Sequence, residues 1–322
     1  MSGFWSGLAG KLAERWLTLL VLPGAFYLAT AATAHALGWA HALDLPQLID
    51  SITTLSKNPI ATNVGGQIVL LAAILTAAAA VGMAAQALAS VVERVTLAAD
   101  WRTWPRPLRR VAEQQTNRRR KAWTAAHATY HQLLAAAEAA RAADGTQLPD
   151  NHDELTVATD KRHAADRQRT HIGLEEPDRP TWSGDRLHAV AVRVHRDLHL
   201  NLPIVWPYLW TVLPENARTD LTTARTALTK ATTLTAWALL YLPLTLVWWP
   251  ALPLSAGIAL TGWRKTRTST DTYAQLLEAT IQLHLTTLAT QLGIPHTAGP
   301  NPALGDTLTY HLRTQPPAPS PC

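Results

Sequence analysis

Charged side chains are scarce in this 322-residue chain, and they are unevenly spread. Asp, Glu, Lys and Arg make up 16% of the residues, against about 25% in typical soluble domains. None of the four occurs in residues 16–43, 58–92 or 231–263. A charge-free run of about 18 or more apolar residues is typical of a transmembrane helix. Three such runs exclude an ordinary soluble globule, and the single cysteine, Cys322, excludes a disulfide-stapled secreted domain.

The first two runs each predict one membrane span. The first fits a helix near Trp16–Trp39, because tryptophans are common at both membrane interfaces. A secretory signal peptide is the alternative, but its apolar core would be only about 7–15 residues long. The second fits Gln67–Ser90, where small residues would let helices approach closely: Ala73, Ala77, Ala80 and Gly82. A purely compositional enrichment in alanine is the alternative for that segment.

The third run is too long for one crossing, since a helix over 231–263 would measure about 50 Å. It contains Trp248-Trp249-Pro250 followed by Pro253, a combination that favours a turn at an interface. We therefore predict a transmembrane hairpin over 231–265, with arms at about 231–249 and 254–263. A re-entrant second arm is the alternative, because that arm is short.

The distribution of Lys and Arg predicts the orientation. Basic residues flank the spans at residues 11–15, 94–121, 230 and 264–267, whereas the loop 44–66 contains only Lys57. Loops rich in Lys and Arg remain on the cytoplasmic side. We expect a multi-pass protein of the bacterial plasma membrane, with both termini in the cytoplasm and 44–66 as an external loop.

The remaining segments complete an all-α prediction: a polytopic helical membrane protein of about four transmembrane helices with a helical cytoplasmic domain. Residues 1–15 fit an interfacial helix preceding spans 1 and 2 in 16–92. Residues 93–230 form the cytoplasmic domain, with a long helix over 117–143, a partly helical surface excursion over 151–180, and a helix capped by Ser183 or Asp185. The apolar segment 202–214 is too short to span, and a helix from Glu215 should continue into the hairpin. We predict an amphipathic helix over residues 266–293 and a Pro-rich disordered tail over residues 294–322.

Several motifs resemble those of a family of uncharacterised bacterial multi-pass membrane proteins. They are Trp104-Pro105-Arg106-Pro107-Leu108, the basic run 118–123, Pro180-Thr181-Trp182-Ser183-Gly184-Asp185-Arg186-Leu187, and Trp206-Pro207-Tyr208-Leu209-Trp210. In that family a Pro-Thr-x-x-Gly-Asn-x-Leu segment precedes a Trp-Pro-x-Leu segment and a transmembrane hairpin. The resemblance covers 101–293, with Asp185 where the family has Asn. It implies the multi-pass architecture and assigns no catalytic residue.

Thirteen histidines invite a search for a metal site. His195 and His199 lie four residues apart, as do His127 and His131, and such pairs share one helical face. Each pair would need further ligands to bind zinc. We favour semi-buried histidines on amphipathic helices, so no metal or other cofactor is predicted.

The basic stretch after the second run predicts contact with anionic lipid headgroups. The candidate lipid-contact residues are Arg102, Arg106, Arg109, Arg110, Arg118, Arg119, Arg120 and Lys121. Nucleic acid would also attract this charge, but a position directly after a membrane span favours lipid.

Three functions compete. The first, which we favour, is a non-enzymatic oligomeric scaffold or sensor that presents its helical domain to a cytoplasmic protein partner. The second is an ion channel or pore lined by Thr76, Gln86, Ser90 and the Thr-rich face of the third run. The third is a membrane enzyme that uses histidine-bound metal. We find no phosphate-binding glycine loop, zinc-protease motif or serine-nucleophile motif that would support catalysis.

Overall fold

The computed structural model describes residues 21–56, 63–144, 152–296 and 299–313. Within these ranges the chain forms helices and no strand, which confirms the all-α class. The interfacial helix predicted over 1–15, the start of the first span and Lys57 lie outside the described residues.

Ten α-helices occur in the described ranges. They are α1 Leu22–Leu37, α2 Leu45–Ser56, α3 Val64–Leu97, α4 Arg106–Asp144, α5 His152–Ile172, α6 Trp182–Leu198, α7 Leu202–Val212, α8 Glu215–Tyr241, α9 Ala251–Gln291 and α10 Pro302–Leu312. The chain divides into two compact units. Unit 1 comprises the described residues up to Glu93 together with Thr229–Thr266, and unit 2 comprises Arg94–Leu228 together with the residues from Arg267 onward.

Unit 1 is a bundle held together by small residues. A Cβ at Gly24 of α1 would overlap the carbonyl oxygen of Ala78 on α3, so these backbones touch. Ala236 of α8 packs against Ala89 and Val92 of α3. Glycine and alanine permit this close approach because they place little or no side chain between two helix axes.

The segment 231–265, for which a transmembrane hairpin was predicted, contains the end of α8 and the start of α9. The hydroxyl of Ser255 donates to the carbonyl of Ala238 across 2.9 Å, and Gly262 lies directly against Thr235. Helix α8 ends at Tyr241, a 3₁₀ turn covers Leu242–Leu246, and α9 begins at Ala251. The turn therefore covers 242–250 and includes the Trp-Pro segment, but the first arm ends at Tyr241 rather than near 249, and the second begins at Ala251 rather than near 254.

The face of α3 that packs inside unit 1 differs from the predicted one. Gly82 is buried as expected, but Ala73, Ala77 and Ala80 are exposed. Five buried positions repeat at intervals of four and three residues, and Ala79 is buried beside the first of them: Ala78, Gly82, Ala85, Ala89 and Val92. Small residues occupy every face of α3, so spacing alone could not distinguish the buried face.

Helix α3 is also the one described helix that is long and apolar enough to cross a membrane by length and composition. Its most apolar 18-residue window has a mean hydropathy of 2.4, and 22% of that window is buried.

Unit 2 has an apolar core formed by α6, α7, α9 and α10. Its fully buried side chains include Val190, Leu209, Ile281, Leu285 and Leu308. Helices α4 and α5 form an antiparallel pair, since Arg169 packs over the ring of Tyr130 and Trp123 contacts Gly173. The long helix predicted over 117–143 is part of α4, which begins earlier than predicted, at Arg106.

The excursion over 151–180, which was expected to be partly helical, contains a helix from His152 to Ile172. Two other expectations in and around unit 2 are corrected by the structure. The amphipathic helix expected over 266–293 is not separate, because α9 runs unbroken from Ala251 to Gln291. The cap of α6 is Thr181, whose hydroxyl accepts from the backbone N–H of Gly184, rather than Ser183 or Asp185.

The disordered tail predicted over 294–322 is wrong for its central part. Residues 302–312 form α10, which buries Leu304 and Leu308 in the core. A Cβ at Gly305 would overlap the carbonyl oxygen of Leu198, so α10 packs tightly on the end of α6. The Asn301-Pro302 pair, a helix cap followed by proline at the first helical position, was the sequence signal for this helix.

Candidate functional site

The Pro-Thr-x-x-Gly-Asp motif forms a buried junction at the start of α6. Asp185 accepts hydrogen bonds at Oδ1 from the backbone N–H groups of Asp178, at 3.0 Å, and Arg179, at 2.7 Å. The hydroxyl of Thr181 donates to the carbonyl of Thr96 at 2.6 Å. We call residues 173–181, which these bonds hold in place, the junction loop.

Arg119 of α4 supplies the countercharge for Asp185. Its Nη1 donates to Asp185 Oδ2 and to the carbonyl of Arg179, and its Nη2 donates to the carbonyl of Ile172 at 2.9 Å. The side chains of Arg119 and Asp185 are 14% and 7% exposed. Burial raises the pKa of Asp185, and the Arg119 guanidinium and the two backbone N–H donors oppose that rise.

Two indoles complete the attachment of the junction loop. Trp101 Nε1 donates to the carbonyl of Asp178 at 3.0 Å, and Trp123 Nε1 donates to the carbonyl of Gly173 at 2.9 Å. A Cβ at Gly184 would overlap the carbonyl oxygen of Leu97, which explains why this position requires glycine. The motif therefore positions the backbone, and its polar groups are used within unit 2.

The next residue of the motif, Arg186, connects α6 to α9. Its side chain is 4% exposed, with Nε 2.6 Å from Asp271 Oδ1 and Nη1 3.1 Å from Glu278 Oε1. Arg267 of α9 lies over the ring of Trp182, 4.3 Å from its centroid. A buried cation paired with two carboxylates is costly to disrupt, because removal of one partner leaves an uncompensated charge.

The predicted lipid-contact residues separate into three groups. Arg119 is buried in the junction and is removed from the set. Arg102 and Arg120 pair with Asp178, and Arg109 pairs with Glu113 on its own helix. The others are exposed on α4 and have no ion-pair partner among the described residues: Arg106, Arg110, Arg118 and Lys121. We call these four residues the basic face; three of them line a groove of about 470 Å³.

The candidate histidines do not assemble into a larger cluster. His127 and His131 have their Nε2 atoms 3.1 Å apart, and Trp123 stacks on His127. His195 is exposed, while His199 has left the helix in a left-handed conformation, with its Nδ1 3.1 Å from Asp306 Oδ2. In the described ranges, no group of three or more His, Cys, Asp or Glu side chains could hold a metal ion.

One histidine outside those pairs is affected by the junction. Burial lowers the pKa of His188 on α6, and the nearby Arg179 guanidinium acts in the same direction. Its neutral form is therefore favoured in the folded protein.

A feature that sequence analysis missed is an open groove of about 670 Å³ in unit 2, which we call the aromatic groove. Residues from α7, α8 and α9 line it: Trp206, Pro207, Trp210, Leu221, Thr222, Arg225, Thr226 and Tyr273. The Trp-Pro-x-Leu segment on α7 was the one available signal, since the other lining residues join it only through tertiary packing.

Comparison of the chain with protein-family models, with curated proteins and with solved structures gave no match.

Proposed function

We propose that this is a multi-pass membrane protein whose unit 1 crosses the bilayer and whose unit 2 is a helical cytoplasmic domain acting as a scaffold or sensor. The observation that carries the proposal is the apolar surface of α3. Its first half exposes seven large aliphatic side chains, each by at least 40%: Val64, Ile68, Val69, Leu70, Leu71, Ile74 and Leu75.

The energetic cost of that surface in water is substantial. Full burial of one such side chain is worth about 1.5–3 kcal/mol, so half-exposed ones forgo about 1 kcal/mol each. The core helix of a soluble protein would be mostly buried, and contiguous exposed apolar patches mark contact with a membrane or another protein. A lipid environment covers this surface at no such cost.

Contacts within unit 1 support four crossings with the predicted topology. Trp248 Nε1 donates to the carbonyl of Ala42 at 2.8 Å, so the end of α1 and the turn of the hairpin lie at one end of the bundle. At the other end, the hydroxyl of Thr229 donates to Glu93 Oε2 at 3.2 Å. Lys230, Arg264 and Lys265 follow at that second end, as expected for a cytoplasmic side.

Oligomerisation through α3 forms part of the same proposal. Ala73, Ala77 and Ala80 repeat at intervals of four and three residues on the exposed surface of α3. Small residues at such spacing would let a second copy approach closely in lipid. A cytoplasmic protein partner, or anionic lipid on the basic face, would then bind unit 2.

The pore alternative has weaker support in the side-chain contacts. Thr76 and Ser90 both lie on exposed positions of α3, and their hydroxyls donate to the carbonyls of Ala72 and Ala87 within the same helix, each at 2.7 Å. Such internal bonding suits a hydroxyl that faces lipid, where no water is present to accept its hydrogen bond.

Cysteine labelling tests the topology. In a Cys322→Ser background, we would place single cysteines at His41, at Leu246, which is 82% exposed, and at Arg118. A membrane-impermeant maleimide should label the first two on intact cells and the third only after permeabilisation. Labelling of position 246 from the cytoplasm alone would replace the hairpin by a re-entrant segment. Recovery of the protein in the soluble cell fraction would refute the membrane location.

Mass measurement in mild detergent tests the oligomer, and an ion-flux assay tests the pore. Ala77→Leu should reduce the oligomeric mass, whereas Gly65→Leu, at a glycine with open space around it, should not. An equal oligomeric mass for both variants would exclude an oligomer interface at Ala77 of α3. Ion flux in liposomes that contain the wild-type protein would favour the pore.

A further inference from the structure

The aromatic groove has the size and composition of a ligand site. Its volume of about 670 Å³ falls within the roughly 300–1,000 Å³ that small-molecule sites occupy. All its lining residues belong to unit 2. Such sites are typically apolar with a few polar groups that orient the ligand.

The apolar wall is held rigidly by the core of unit 2. Trp206 and Trp210 lie one turn apart on α7, with ring centroids 5.9 Å apart. Val205 and Leu209 on the same helix are fully buried, and they fix the side on which the two indoles stand. A preformed aromatic wall loses little conformational entropy when it binds an acyl chain.

The polar groups of the aromatic groove favour an anion. Arg225 is the one charged residue among the lining residues. The indole N–H groups of Trp206 and Trp210 find no acceptor among the residues that the structure describes. Burial raises the pKa of Tyr273, so its phenol stays neutral at physiological pH and adds no negative charge.

We propose that the aromatic groove binds one anionic lipid, with the phosphate of its headgroup on Arg225 and an acyl chain along Trp206 and Trp210. This ligand matches a lining that combines one cation, two threonines and an apolar, aromatic wall. The supply of this lipid rests on the membrane location proposed above. The site itself is distinct from the basic face, whose exposed charges lie on α4.

Native mass spectrometry of the full chain in neutral detergent tests the proposal. The probes are dioleoyl phosphatidate and dioleoyl phosphatidylcholine. The wild type should retain one phosphatidate with about tenfold preference, as expected for one charge-assisted pair. Arg225→Gln should lose that preference and Arg225→Lys should keep most of it. Arg167→Gln, on α5, which lines no part of the aromatic groove, is the matched control and should behave as wild type.

Further arms separate a lipid from a simple anion. Trp210→Ala should weaken phosphatidate retention several-fold, whereas Trp210→Phe should preserve the apolar contact. Dodecyl phosphate should displace the lipid, and inorganic phosphate at the same concentration should not. Equal retention by Arg225→Gln and wild type, or equal retention of both lipids, would overturn the proposal. Displacement by inorganic phosphate alone would reduce the site to an anion site. Because these readouts use purified protein, they are independent of the labelling that tests the membrane topology.

Discussion

Replacement of Asp185 by Asn isolates the charge at the junction while preserving the shape of the side chain. The amide oxygen could still accept from the N–H groups of Asp178 and Arg179. Its NH₂ group, however, would face Nη1 of Arg119, a donor that now meets Asp185 Oδ2. Arg119 would keep two carbonyl acceptors and lose its countercharge.

The size of the effect follows from burial. Removal of one partner from a buried ion pair costs about 3–5 kcal/mol. Because two carbonyls would remain bound to Arg119, we expect Asp185→Asn to reduce the free energy of unfolding by about 3 kcal/mol, near the lower end of that range. In a domain of 150–250 residues, 1 kcal/mol shifts the unfolding midpoint by about 2–4 °C, so the expected decrease is about 6–12 °C. Asp185→Ala should cost more, because it also leaves two backbone N–H groups without an acceptor.

The assay is thermal unfolding of the full chain in detergent, with all variants heated at one scan rate, because such unfolding is often irreversible. Asp197→Asn is the matched control, since Asp197 lies on the same helix and pairs with Arg196 at an exposed position. Its midpoint should stay within about 1–2 °C of wild type, as expected for a surface pair. Equal midpoints for Asp185→Asn and Asp197→Asn would refute the reasoning, because the buried pair would then contribute nothing net.

Three further predictions concern other residues of unit 2. Gly184→Ala should lower the unfolding midpoint strongly, because its Cβ would overlap the carbonyl oxygen of Leu97. Gly257→Ala is the control and should leave the midpoint unchanged, because there is open space around Gly257. Equal effects of the two variants would show that the backbone near Gly184 moves aside at little cost. The lowered pKa of His188 means that the unfolded state binds more protons below about pH 6.5, so stability should fall as pH falls through the interval between the two pKa values. His188→Gln should reduce the midpoint difference between pH 7.5 and 5.5, while a similar reduction in His195→Gln would contradict this assignment. Finally, an environment-sensitive dye on a cysteine at Gln114 should report insertion in anionic but not in neutral nanodiscs, and salt should weaken this difference. If the difference persists after all four basic-face residues are changed to Gln, contact of the basic face with lipid headgroups is excluded.

The sequence analysis succeeded where a signal is local in the chain. The Trp-Pro turn before α9 and the long helix in α4 both follow from composition and helix breakers within a few residues. Asn301-Pro302 was an equally local signal for α10, and it was outweighed by the proline-rich segment after it.

Which face of a helix is buried, and which residue a charged side chain pairs with, could not be predicted because both depend on residues that are distant in the sequence. Arg119 is one of three consecutive arginines, and nothing in that run distinguishes the one that reaches Asp185, 66 residues later. The burial of Ala78 rather than Ala77 likewise depends on where Gly24 touches α3. The aromatic groove requires α7, α8 and α9 to be packed before its lining exists.

The ion pairs of Arg186 also have a consequence for biosynthesis. Its partners Asp271 and Glu278 are made 85 and 92 residues after it, and the apolar run 231–263 separates them in the chain. If that run inserts as a hairpin, the ribosome must complete it before the nascent α6 can neutralise its buried cation. Folding of unit 2 is therefore expected to finish after membrane insertion, when the part of α9 from Arg267 onward packs against the helices made earlier. Truncation after Trp263 should leave an aggregation-prone nascent chain, although every element from α4 to α7 has been synthesised.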